Sequence, residues 1–258
     1  MFLMAKRQCE AEWSKLASLR STWVILPLAV VLGIAASLVM CAEAVIAREV
    51  LGGGVRQWEP IQVAHWIRMM TCTLFSLWAV GSVTGEYRVG TMPLSYRACQ
   101  RPGLLLGSKW LVTGVIAAVL SGVTVAISIA ADKVAFPSVT ENWSFGSSDV
   151  VHLMWSLPAY SFLVCGLGVG VGALFRTASA SVGMLLLWQF VVEPFSVVLP
   201  NGGKAFAFLP FSNGSVFIGE ETQFPLPIEG WQMAGVLFAV WVLAACAGGW
   251  YRVVKRYA

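Results

Sequence analysis

The stretch Gly85–Pro102 reads GEYRVGTMPLSYRACQRP. It gathers Glu86, Arg88, Arg97 and Arg101 into a short segment between two long apolar runs. Such a segment is a turn between membrane spans if the runs on either side are long enough to cross a bilayer. The hydrocarbon core is about 30 Å thick and a helix rises about 1.5 Å per residue, so about 20 apolar residues suffice. Working outward from the loop, six runs meet this length: Trp23–Ala42, Ile61–Thr84, Leu104–Ala131, Val150–Phe175, Ser181–Leu199 and Trp231–Trp250. The expected fold is an all-α integral membrane protein with six transmembrane helices in a single domain over residues 23–258. Ten-residue stretches of alternating polarity are absent, which argues against a membrane β-barrel.

Composition agrees. The 258-residue chain is 58% hydrophobic and 12% charged, against about 25% charged in average soluble chains. Twelve Trp and fourteen Phe suit a chain with many membrane–water boundaries, where amphipathic rings settle. The six cysteines (Cys9, Cys41, Cys72, Cys99, Cys165, Cys246) fall mostly in spans and read as buried thiols rather than a disulfide framework.

Orientation follows from the basic residues. If both termini are cytoplasmic, the inner segments hold Lys6, Arg7, Lys15, Arg20, Arg88, Arg97, Arg101, Lys109, Arg176, Arg252, Lys255 and Arg256, twelve of the seventeen. The outer segments hold Arg48, Arg56, Arg68, Lys133 and Lys204. The positive-inside rule therefore predicts cytoplasmic N- and C-termini. Trp23–Cys41 followed by Ala42-Glu43-Ala44 has the look of a cleavable signal, but the apolar run is too long and 22 residues precede it, so an uncleaved first span is expected.

Residues 1–22 form a lead-in. Over Gln8–Thr22 a surface-lying helix is expected, with Cys9, Trp13, Leu16, Leu19 and Trp23 on its apolar face and Glu10, Ser14, Lys15, Ser18 and Ser21 opposite. Glu12 and Arg20 interrupt the apolar face. The outer connections are Glu43–Pro60, Asp132–Asp149 and the longer Pro200–Gly230. The last contains apolar pieces too short to span, Ala205–Phe211 and Val216–Ile218, which suggest a re-entrant or interfacial hairpin. Asn142-Trp143-Ser144 and Asn213-Gly214-Ser215 match the glycosylation sequon. In the fourth span, Gly166 with Gly170 and Gly168 with Gly172 form small-xxx-small faces that let helices approach closely.

Catalytic constellations are missing. His65 and His152 lie near outer span ends without metal-ligand spacing, and there is no H-E-x-x-H, C-x-x-C, G-x-S-x-G or P-loop pattern. The chain therefore reads as a non-enzyme with no catalytic residues and no metal, and any ATP use belongs to another subunit. Two charges fall at membrane depth, Arg68 in the second span and Glu193 in the fifth. Each contacts a polar substrate or vestibule, snorkels to the outer interface, or pairs with the other. No chain of acidic groups crosses the bilayer, which argues against an ion-driven carrier.

Three segments together resemble the permease subunits of ATP-binding-cassette type-2 exporters, especially the small six-span kind common in actinobacteria. EWSKLASLRSTW (Glu12–Trp23) is similar to the family's amphipathic elbow helix. Glu86-Tyr87-Arg88-x-Gly90-Thr91 follows the second span, and Lys109 stands eighteen residues after Thr91, as the family shows. FLPFSNGSVF (Phe208–Phe217) lies in the long outer connection. The chain departs from the family at Pro93, where a helix would otherwise run on, and at Gln100, where these permeases often have Pro.

The resemblance implies that the loop from Gly85 docks on a separate ATPase, which would carry ATP and Mg; this chain itself needs no cofactor. Glu86, Tyr87, Arg88, Gly90, Thr91 and Lys109 are the coupling residues it points to. Glu86 and Arg88 would make charge-assisted bonds there or to the elbow helix, Gly90 a tight turn and Thr91 a helix cap. The positive-inside rule alone also accounts for Arg88 and Lys109. The resemblance further implies a second permease copy or a paralogous permease, a plasma-membrane setting among lipid, and export of an amphiphilic or hydrophobic molecule (a drug, antibiotic, peptide or lipid). The path would run along the second and fifth spans, where Phe75, Trp78, Trp188 and Gln189 are candidates to line it, with Arg68 and Glu193 nearby. No nucleic-acid partner is expected. The alternative is a non-transporting six-span protein: a sensor, immunity or assembly component.

Overall fold

A computed structural model describes residues 2–51, 58–99, 101–196, 198, 208–220 and 230–257. All regular structure among them is helical. Helix α1 covers Phe2–Ser18 and α2 Arg20–Leu51. Helix α3 runs Pro60–Val89 and is interrupted by one π turn at Arg68–Cys72. A short α4, Met92–Cys99, joins it to α5, Pro102–Ala135. Then follow α6, Ser148–Phe175, and α7, Ala178–Ser196, the latter with a π turn at Trp188–Val192. The short α8, Pro210–Phe217, precedes α9, Trp231–Tyr257. Six of these helices (α2, α3, α5, α6, α7, α9) are long and apolar enough to cross a membrane, as expected of a multi-pass membrane protein.

Two boundaries differ from the sequence reading, because the helices run on past their apolar cores. Glu43–Leu51, expected in a loop, extends α2 as far as Leu51, with Gly52 following. Asp132 and Lys133, expected to open a loop, lie within α5. The Gly85–Pro102 segment is likewise less loop than expected. Glu86, Tyr87 and Arg88 form the last turn of α3, and Pro93 sits in the first turn of α4, where its missing N–H is harmless. The hairpin expected over 200–230 lies largely outside the described residues; within them α8 is an eight-residue helix.

Helix α6 is the centre, packed against α3, α5 and α9. Its glycines explain how. A methyl group at Gly168 would strike the Ser76 carbonyl of α3, and one at Gly172 would lie 3.3 Å from the Val80 carbonyl of the same helix. One at Gly170 would lie 2.6 Å from the α9 backbone at Ala245, while Gly166 faces Trp110 and Val242. The two four-residue spacings thus serve two different neighbours, and both contacts need the missing Cβ. Valines at 24, 31 and 39 of α2 and Val236, Val240 and Leu243 of α9 are exposed, an outward apolar surface suited to lipid. The six cysteines are free thiols, and Cys41, Cys72, Cys99 and Cys165 are buried.

Candidate functional site

Two polar clusters lie at opposite ends of the bundle. The first stands where α1, the end of α3 and the start of α5 meet. Lys109 Nζ donates to Glu12 Oε2 at 2.6 Å, to Glu86 Oε1 at 2.7 Å and to the Ser82 carbonyl at 3.2 Å. Lys15 Nζ donates to Glu12 Oε1 at 2.8 Å and Glu86 Oε1 at 2.9 Å, and reaches Ser95 Oγ of α4 at 3.3 Å. Glu12 and Lys109 are each 1% exposed. Two lysines and two glutamates make the cluster neutral, which is how four charges are kept from water without a net cost too large to bear. Burial opposes the charge on Lys15, but its bonds to Glu12 and Glu86 prevail and its pKa is raised.

Glu12 is therefore not a flaw in an apolar face. It and Leu16, one turn apart, form the side of α1 turned into the protein, while Trp13, Leu19 and Trp23 are exposed. Helix α1 ends at Ser18, short of the expected Thr22. Lys109 does not sit at the opening of α5 but two turns inside it.

The turn beyond Glu86 is tightly specified. Gly90 has φ 74° and closes α3, with Thr91 N donating to the Glu86 carbonyl at 3.0 Å and Gly90 N to the Tyr87 carbonyl at 3.3 Å. This is the double bond pattern of a Schellman cap, for which glycine suits the left-handed residue. Thr91 then opens α4 through its carbonyl, which accepts from Ser95 N at 3.0 Å. Met92 and Cys99, at the two ends of α4, are both buried in the core formed by Phe75, Ala79, Val83, Leu105 and Val169. Leu94, Arg97 and Ala98 are exposed along one face.

The second cluster stands at the other end. Arg68, 2% exposed, forks onto Glu220 at 2.7 and 2.9 Å, and His65 Nδ1 lies 2.9 Å from the same carboxylate. Arg68 thus pairs with Glu220, not Glu193, and does not snorkel. Glu193 instead accepts from the backbone N–H groups of Phe211 (2.8 Å) and Ser212 (2.6 Å), capping the first turn of α8. Burial pushes the Glu220 carboxyl up, but Arg68 and His65 outweigh it and hold it down at about 2. Nothing in the residue types singled out Glu220; its partner lies 152 positions away. Asn213 is 1% exposed and donates to the Leu209 carbonyl, so its sequon is inaccessible in the folded chain.

Between the clusters, the two π turns face each other. Gln189 Nε2, within the α7 turn, donates to Thr73 Oγ1 at 3.0 Å and contacts Met69 Sδ at 3.4 Å, both at the α3 turn. Phe75 and Trp78 are buried, Phe75 in the core and Trp78 bonded through Nε1 to Thr22 Oγ1 at 3.1 Å. Trp188 faces an apolar cavity of about 300 Å³ among α6, α7, α8 and α9. Comparison of the chain with protein-family models, with curated proteins and with solved structures gave no match.

Proposed function

We propose that this chain is the membrane-spanning permease subunit of an ATP-driven exporter of the ATP-binding-cassette type-2 kind. The observation that carries the reading is the buried Glu12–Lys15–Glu86–Lys109 joint. It binds α1, α3 and α5 together beside α4, whose two ends are sunk in the core. A motor pushing on the exposed Leu94–Arg97–Ala98 face of α4 would move α3 and α5 with it, because Met92 and Cys99 anchor α4 in the core those helices share. In this reading α1 is the elbow helix at the cytoplasmic face of the plasma membrane, and both termini are cytoplasmic. The segment containing α8 dips into the outer interface. Two ATPase subunits carry ATP and Mg, and a second permease completes the path. The cargo is amphiphilic or hydrophobic.

The facing π turns of α3 and α7 support a path along those two spans, since such turns are rare and occur often at functional sites. The test is reconstitution with a candidate ATPase subunit of the ATP-binding-cassette kind. Substrate-stimulated ATP hydrolysis should require both subunits, and Leu94→Asp, on an exposed position, should abolish stimulation while leaving insertion and folding intact. Glu86→Ala should uncouple as well. Transport by the chain alone, or full stimulation in the Leu94→Asp protein, overturns the proposal.

A further inference from the structure

A groove of about 730 Å³ opens at the end of the bundle that carries both termini, bounded by the α1–α2 junction, the end of α3 and the α6–α7 turn. Its mouth is basic, with Arg88 on α3 and Arg176 and Thr177 in the turn. Its wall is apolar, with Ile25, Leu77 and Trp78. Leu77 lies eleven residues before Arg88 on one helix, about 16 Å along the axis and so close to half the thickness of a hydrocarbon core.

The half-buried Arg176 and the exposed Arg88 differ from the cations of the two charged clusters. Lys15, Lys109 and Arg68 all have carboxylate partners; among the described residues Arg88 and Arg176 have none. Arg176 is held in place, since its Nη2 donates to the Arg252 carbonyl at 2.8 Å. Its Nε is buried and meets no acceptor. Arg176 also adopts φ 64° at the end of α6, the one non-glycine residue among those described with a positive φ. Glycine is the ordinary occupant of that position, so the side chain is kept in spite of the backbone. Beside it, Thr177 opens α7 without a side-chain cap, and Ala178 and Ser179 of the first turn line the groove.

A guanidinium held in place, a second guanidinium and free helix amides together fit a phosphate. The apolar wall below fits an acyl chain. We infer that this groove binds an anionic phospholipid, with its phosphate on Arg88 and Arg176 and one acyl chain along Leu77 and Trp78. The lipid would hold the α1–α2 junction against the α6–α7 turn. The inference stands apart from the transport reading, because the chain alone suffices to test it.

The experiment is native mass spectrometry of the purified chain released from bilayers containing equal phosphatidylglycerol and phosphatidylcholine. Wild type should retain phosphatidylglycerol preferentially. At about fivefold per basic residue facing an anionic headgroup, Arg88→Gln and Arg176→Gly should each lower that preference about fivefold, and the double variant about twenty-five-fold. Arg176→Gly removes the charge while easing the backbone, so its loss of lipid cannot be blamed on misfolding. Equal retention of the two lipids by wild type, or an undiminished preference in the double variant, overturns the inference. So does complete displacement by millimolar inorganic phosphate, which would mean that the acyl chain contributes nothing.

Discussion

The two charged clusters solve the same problem in opposite ways. At the end with both termini, four side chains from α1, α3 and α5 neutralise one another, and Lys109 is the hub that touches both glutamates. At the other end the two carboxylates share no hydrogen-bond partner: Glu220 holds a forked guanidinium and His65, and Glu193 two backbone amides. The first arrangement is shared, so the loss of one member weakens the bonding of two others. The second is modular, so either carboxylate site can fail without the other. Shared networks tie segments into one body; modular ones fasten a single segment, here the stretch 208–220, to the bundle.

The largest effect should come from Lys109→Met, which leaves the two buried carboxylates of Glu12 and Glu86 with only the half-exposed Lys15 between them. Breaking a buried pair costs about 3–5 kcal/mol, read as a fall in unfolding temperature in detergent. Adding Glu12→Gln and Glu86→Gln should restore most of the loss, and failure of that rescue would show that the hub is not electrostatic. Glu193→Ala should cost less, about 1–3 kcal/mol for two unsatisfied amides, and should raise proteolysis near α8 without disturbing the other end. Acid should act on the modular cluster next. The folded value of Glu220, about 2, lies below the ordinary 4.5, so its contribution is whole above pH 4.5 and fades as pH falls towards 2. The stability gap between wild type and Glu220→Gln should therefore close over that range. Smallest should be Lys15→Met, under about 1 kcal/mol, because its side chain is 43% exposed and solvent screens it.

How much was legible in the sequence follows the same division. The spans were, because the bilayer demands length and apolarity that no folding detail can hide. The Gly166–Gly172 spacings were, because four residues fix a face of a helix whatever packs there. Glu86, Gly90 and Lys109 were located, and Gly90 makes the tight turn expected of it. Glu12 was misread because periodicity gives the direction of a side chain but not what it meets. Its partner Lys109 is 97 positions away. For Arg68, depth alone left substrate contact, snorkelling and pairing with Glu193 open, whereas the fork reaches Glu220 in a segment with no signal of its own.

The π turns have a consequence for anyone tracing a face along α3 or α7. Each inserts one residue into a turn, and one residue of an α-helix is about 100° of rotation. A stripe drawn from the loop at Gly90 upward therefore jumps sideways by a quarter of the circumference when it passes Cys72–Arg68. The two halves of the span present different compass bearings. If such a turn slips along the helix by one residue, only the residue it passes turns through about 100° while the halves on either side keep their bearings, so a side chain can leave one face of the span without the span itself turning.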